Sequence, residues 1–445
     1  MKKIKITPMK KSTLNVTALI GLTVIISFSS CKDDVDDDST PMPPTPPSQT
    51  NFLKSRVDQL NAVDLGAFTQ PTFYDISNAF APAAYNGQIR RVAQLQEIVD
   101  SSRNEPIYWD IKAALENTGL DQFASTGAQG NSNIRTKIDE LNYDNGNTSV
   151  ADRFAELADS LTLSSQANFA VSARNGRAGM ITTGSKKRHV SANGLEYIQL
   201  LEKGLYGALL CDQIVDDYLR PIQAGNLNPS GNNEAAAGSD YTSEGTARQH
   251  AFDEAFGYLA ANPATYPNSA NTSNGDGRFI SNYLFDHSDE IESVYDVNPS
   301  KKLMDAFIFG RSVLKAGQGF GPSNETTNET YYNAAVADIK LYIEIGLATA
   351  AFNYLNDAIA DVTDADKIHH LSEALAFIYA LSFNSDGRLS ATQAHAALQT
   401  MGWDTNKTSL EGVYSINLWE VTDAQMESAK SVLTQAYPGF GEIQF

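Results

Sequence analysis

The chain has 445 residues, with 33 basic against 53 acidic side chains and a formal net charge of −20. So acidic a body is repelled by phosphate backbones and by anionic lipid, which argues against nucleic acid as a partner. Its two cysteines are Cys31 and Cys211, and the setting Leu209-Leu210-Cys211 reads as a buried small hydrophobe rather than a nucleophile.

Residues 1–30 read as a lipoprotein signal peptide. Lys2, Lys3, Lys5, Lys10 and Lys11 have no acidic neighbour, Leu14 to Phe28 is largely apolar, and Ser29-Ser30 are small enough for a peptidase pocket. The apolar run falls short of the about 20 residues that a membrane span needs. Processing at Cys31 with acylation of its thiol is therefore the expected fate, although Phe28 stands where a lipobox usually has Leu. Without the five leader lysines the chain keeps 28 basic and 53 acidic residues, a net of −25. Cys31-Lys32-Asp33-Asp34 is similar to the short signal that directs some Gram-negative lipoproteins to the outer face of the outer membrane; the alternative is a solvated acidic linker. Buried acyl chains contribute roughly 0.8 kcal/mol per CH₂, so attachment to the membrane needs no protein surface. With Cys31 acylated, Cys211 has no disulfide partner.

Residues 31–51 are Asp-rich and then Pro-rich, the composition of a semi-extended tether. The body, 52–445, carries a helical period. Val92, Leu95, Ile98 and Val99 share a face, as do Ile134, Ile138 and Leu141, and then Phe154, Leu157 and Leu161. Helices are also expected over 195–219, over Tyr331–Ile359, which lacks proline, and over 367–383 and 423–435. Strand signals are scarce, and Tyr414, Ile416 and Leu418 alternate as in one short strand. Polar stretches at 221–246 and 262–277 read as long loops. The expected fold is all-α, two packed helical bundles with very little strand and a half-body boundary near 221–240.

Zincin, nucleophile-elbow, phosphate-loop and dinucleotide motifs are absent from the sequence. Histidines with an acid three positions on include His370 with Glu373, and His250 with Asp253, followed by Glu254. On a helix such pairs share a face and can aim an imidazole and a carboxylate at one point, the spacing that di-iron bundles use. These donors suit iron or zinc better than calcium; the alternative is an ordinary hydrogen-bonded pair. Asn274-Gly275-Asp276-Gly277 and Asn384-Ser385-Asp386-Gly387 echo part of an EF-hand loop. The first ligand position holds Thr272 or Ser382 and the twelfth Tyr283 or Gln393, so both read as turns.

Four segments resemble the envelope lipoproteins of domain-of-unknown-function family 4856. They are Gly194-Leu195-Glu196-Tyr197-Ile198-Gln199 with Lys203-Gly204-Leu205 and Gly207-Ala208; Tyr241-Thr242 with His250 and Asp253-Glu254-Ala255-Phe256-Gly257-Tyr258; His370-Leu371-Ser372-Glu373-Ala374-Leu375 with Phe377-Ile378-Tyr379; and Gly176-Arg177-Ala178-Gly179. That family is distantly similar to the imelysin-like proteins, two-bundle envelope proteins with a His-x-x-Glu signature, often associated with iron uptake and once classed as peptidases. The resemblance implies that His370 and Glu373 fill the signature and that Glu196 fills the glutamate of a first copy, whose histidine position holds Asn193. Ala251 and Phe252 depart from the second motif's usual aromatic or polar residues.

The sequence thus supports a non-catalytic binding protein at the cell surface, in which Glu196, Gln199, His250, Asp253, Glu254, His370 and Glu373 converge on a metal or a small polar ligand, with His370, Glu373 and Glu196 as metal donors. The alternatives are a structural or adhesive lipoprotein, whose polar groups fix helix register, and a metallopeptidase, in which His370 and Glu373 hold a metal that activates water.

Overall fold

The computed structural model describes residues 51–60, 72–74, 85–103, 106–118, 121–139, 149–219, 247–268, 275–317, 325–404, 406–407 and 410–445. The leader, Cys31, nearly all of the tether, Leu141, Tyr241-Thr242, Asn274, the whole stretch 221–246, and the boundary expected near 221–240 lie outside them. Fourteen α-helices are present among the described residues, with one two-stranded hairpin, so the fold is all-α.

In chain order, α1 (Asn86–Ser102), α2 (Ile111–Glu116), α3 (Arg135–Ile138) and α4 (Val150–Asn168) precede the hairpin of β1 (Gly179–Thr183) and β2 (Lys186–Val190). Next come α5 (Tyr197–Leu205) and α6 (Ala247–Tyr258). The segment from α7 (Ile280–Asp286) through α8 (Ser288–Tyr295) leads into α9 (Pro299–Gly317) and α10 (Glu325–Ala360). The chain ends with α11 (Asp364–Leu381), α12 (Ala391–Thr400), α13 (Leu410–Tyr414) and α14 (Asp423–Ala436).

The centre is α10 against α11, flanked by α9, α7 and α5. At 36 residues α10 is about 54 Å long. Every residue from Lys340 to Phe352 is buried, as expected of a helix apolar on nearly all sides. Caps mark the starts that local chemistry favours. Ser149 Oγ accepts from Asp152 N at the head of α4, and Thr363 Oγ1 from Asp366 N at the head of α11. Ser390/Gln393 and Thr422/Gln425 form complete capping boxes for α12 and α14.

Helix α5 continues without a break into π-helical turns at Tyr206–Cys211 and Gln213–Tyr218, so the periodicity read over 195–219 is helical with a widened register. It lies tightly on two neighbours: a Cβ on Gly207 would sit 2.5 Å from the backbone of Ala380 on α11, and one on Gly204 3.0 Å from the Phe154 ring on α4. Asp338 on α10, fully buried, fastens the start of the body. It accepts from Ser55 Oγ at 2.8 Å and from the backbone N–H groups of Arg56 and Val57 at 2.9 Å.

One expectation is corrected. The alternation Tyr414, Ile416, Leu418 is not a strand: Tyr414 ends α13 and Leu418 opens a 3₁₀ turn. Ile416 and Leu418 both reach the core from this irregular segment, which mimics a period of two. The real hairpin pairs Thr183 with Lys186 across Gly184-Ser185, with Gly184 at φ +55°, a two-residue turn that requires glycine at its first position. Among the described residues no helix is long and apolar enough to cross a membrane.

Candidate functional site

A cavity of about 600 Å³ opens between β2, α1, α5, α7 and α11. Its polar lining is Ser102, Arg103, Lys186, Lys187, Arg188, His189, Glu196, Gln199, Lys203, His369 and Glu373, with Ile198 and the Tyr283 ring as apolar walls. Two features of α5 place three of these groups. Glu196 stands at its N-cap, where its N–H donates to Ser372 Oγ at 3.0 Å. Gln199 and Lys203 then follow one turn apart on the same face.

The side chains close into a ring. Glu196 Oε2 lies 2.8 Å from His369 Nδ1, and His369 Nε2 lies 3.3 Å from Glu373 Oε2. Glu373 Oε1 is 3.3 Å from the Lys203 ammonium, which donates to Gln199 Oε1, and Gln199 Nε2 donates back to Glu196 Oε1 at 3.2 Å. Arg188 adds a contact of 3.1 Å to Glu196. Next to the ring, buried Glu202 accepts from Lys203 at 3.0 Å, from the Tyr206 hydroxyl at 2.6 Å and from Arg103 at 3.0 Å.

Burial raises the cost of each lone charge, but the partners reverse its effect. Burial pushes the Glu196 carboxyl up, yet His369 and Arg188 hold it below its usual value. Burial likewise works against Glu202, which Lys203 and Arg103 keep lowered. Lys203, against burial, is raised by Glu202 and Glu373. His189, 2% exposed, has no such carboxylate contact, and burial drops its imidazole to about 4.

The folded protein therefore takes up protons less readily than the unfolded chain on falling pH. The His189 contribution is complete above about 6.5, the unfolded value, and disappears as pH falls towards 4, on the order of 2–3 kcal/mol at full effect. His287 and His395, lowered by burial to about 4, act in the same window. The lowered carboxylates Glu196 and Glu202 extend the loss below their ordinary range. We expect a Tm that is flat near pH 7 and declines steadily from pH 6.5 downwards in scanning fluorimetry; a Tm constant to pH 4.5 would contradict this assignment.

Of the seven residues singled out from sequence, Glu196, Gln199 and Glu373 line the cavity. His370 does not: its Nδ1 lies 2.8 Å from Asp361 and its ring stacks on Tyr354. The imidazole in the ring is its neighbour His369. Helix α6 forms a separate cluster, where Asp253 binds Arg311 and Tyr74 while His250 Nε2 faces Glu254 at 3.4 Å and Gln88 donates to Glu254. On both helices the acid four positions on, rather than three, receives the histidine, because i+4 lies about 40° from residue i around the axis and i+3 about 60°. Asn384–Gly387 is a turn, in which Lys340 pairs with Asp386 at 2.7 Å. Arg103, Lys186, Lys187, Arg188, His189, Lys203 and His369 were missed as site residues. The run Lys186-Lys187-Arg188-His189, conspicuous in so acidic a chain, was the available signal.

His369, His370 and Glu373 offer ligand atoms within 4.8 Å of one another. The set nevertheless fits a metal ion poorly. Both nitrogens of His369 face carboxylates, His370 Nδ1 is held by Asp361, and the Lys203 ammonium lies on the carboxylate that the ion would need. A fixed cation at that distance repels a divalent ion in a medium of lowered dielectric.

No curated protein and no solved structure matches the chain. A family model does, over residues 72–427, a span that contains every residue of the ring and of the α6 cluster. The chain belongs to the family described as Domain of unknown function (DUF4856).

Proposed function

We propose that the chain is a non-catalytic binding protein, tethered to the outer membrane at the cell surface through acylated Cys31, and that the cavity beside α5 and α11 holds a small polar ligand. The observation that carries this reading is the closed ring Glu196–His369–Glu373–Lys203–Gln199 on the wall of a cavity of about 600 Å³. That volume is within the range of small-molecule sites, and a few convergent polar groups beside apolar walls are their usual lining. Binding is favoured over hydrolysis because both nitrogens of His369 already face carboxylates, leaving it without a lone pair or proton directed at a substrate. The likeness to imelysin-like envelope proteins belongs to this reading, as does the export leader.

A ligand that binds only the folded protein stabilises it by about 2.7 kcal/mol at a hundredfold excess over Kd. Chelator-stripped protein screened by thermal shift against small acids, sugars, amines, zinc and iron is expected to respond to at least one organic class and not to the metals. Silence across the organic classes would end the binding reading, and a shift with a metal alone would restore the His369–His370–Glu373 set as a metal site. For the anchor, Cys31→Ser is expected to abolish incorporation of labelled fatty acid and to release the chain from the envelope fraction. Retention of label would disprove acylation at Cys31.

A further inference from the structure

The cavity's charge says which polar ligand it takes, an inference that rests on the binding reading above. We propose that it selects a small organic molecule carrying an oxyanion, a carboxylate or a phosphate. Five cationic side chains line it, Arg103, Lys186, Lys187, Arg188 and Lys203, against the carboxylates of Glu196 and Glu373. Those carboxylates are already answered, Glu196 by Arg188 and His369 and Glu373 by Lys203 and His369. Arg103 is taken by Glu202 at 3.0 Å. Lys186 and Lys187 are exposed on β2 and enter no ion pair with the described residues, so the rim keeps an uncompensated positive charge.

This surplus sits on a chain whose overall charge is −20, so the rest of the surface works against anion approach and only the rim favours it. Low-dielectric walls concentrate the rim's field inside the cavity. Burial adds a second observation: His189, 2% exposed, is one of the lining residues, and its buried Nδ1 has no hydrogen-bond partner among the described residues. The volume argues for an organic anion over a bare ion, since one water occupies roughly 30 Å³ and a lone phosphate would leave most of the space to solvent. Ile198 and the Tyr283 ring offer the carbon skeleton an apolar face.

The test compares three molecules that share one ring, glucuronate, glucose 6-phosphate and neutral glucose, together with citrate, by titration calorimetry on the full chain at low salt. At least one anion is expected to bind roughly tenfold or more tightly than glucose, about 1.4 kcal/mol, and its affinity to fall as salt rises. The preferred arm separates carboxylate from phosphate. The double variant Lys186→Gln/Lys187→Gln, altered only at exposed positions, is expected to keep the parent Tm and lose about tenfold in anion affinity. Glucose binding as tightly as the anions, or a double variant with parent affinity, would overturn anion selection while leaving a binding site. No heat and no thermal shift from any of the four would overturn the site itself.

Discussion

Asp253→Ala is expected to remove about 3–5 kcal/mol of stability, because it takes the two-pronged carboxylate away from a buried guanidinium. Arg311, 7% exposed, places Nε 2.6 Å from Asp253 Oδ1 and Nη2 3.1 Å from Oδ2, a two-pronged contact. The Tyr74 hydroxyl donates to Oδ1 at 2.6 Å, and the Tyr74 ring stacks on Phe256 with centroids 3.8 Å apart. Burial raises the Tyr74 phenol well above its ordinary value, and the Asp253 charge adds to this, so the tyrosine remains a donor at any accessible pH. Urea unfolding checks the loss, and a change below about 1 kcal/mol would show that water or another group replaces the carboxylate. Asp253→Leu combined with Arg311→Met, which removes both charges, is expected to recover much of the deficit. Since Asp253 does not line the cavity, ligand affinity of the folded fraction should be unaffected.

A single methyl group on Gly207 is expected to be nearly as damaging, roughly 3 kcal/mol. Alanine normally stabilises a helix over glycine by about 1 kcal/mol. Here its Cβ would lie 2.5 Å from both Cα and the carbonyl oxygen of Ala380, atoms of the α11 backbone that no rotamer change can move. The helices must separate, and overpacking of this kind costs about 1–3 kcal/mol or more. Because α5 carries Lys203 and α11 carries Glu373, separation also pulls apart their 3.3 Å contact. Gly207→Ala should therefore lose ligand affinity along with Tm. Gly204→Ala is the internal comparison: it meets the edge of the Phe154 ring at 3.0 Å, which can swing aside, so a smaller loss is expected. Equal effects from the two would argue against the backbone contact as the cause.

These two residues show what was legible in the sequence. The helical period of Val92–Val99, of Phe154–Leu161 and of the long apolar run in α10 marked real helices, because burial of one face leaves a repeat that survives in composition. Gly204 and Gly207 serve close helix approach, which composition alone does not distinguish from other uses of glycine. By contrast Gly176 and Gly194 serve positive φ angles, and Gly179 sits in β1 with a Cβ position 2.3 Å from the Val171 carbonyl oxygen. Motif spacing alone could not say which of two adjacent histidines faces the acids. The choice between His369 and His370 depends on the rotation of α11 against α5, fixed by packing that includes the Gly207 contact. The cations of the site were hidden for another reason: Arg103 ends α1, Lys186–Arg188 lie on β2 and Lys203 is on α5, positions that only the tertiary fold assembles.

The Asp338 clamp has a mechanical consequence. Any pull applied to the chain ahead of residue 51 meets the Asn51 amide bond to the Tyr295 carbonyl oxygen first and is then taken up at Ser55, Arg56 and Val57, whose hydrogen bonds to one carboxylate lie at 2.8–2.9 Å. Leu53, held through its carbonyl by Tyr342 at 2.9 Å, shares the load. Both anchoring side chains belong to the longest helix, so tension is passed to the most deeply packed rod of the molecule and spread along it, while the cavity at the other elements is spared direct strain.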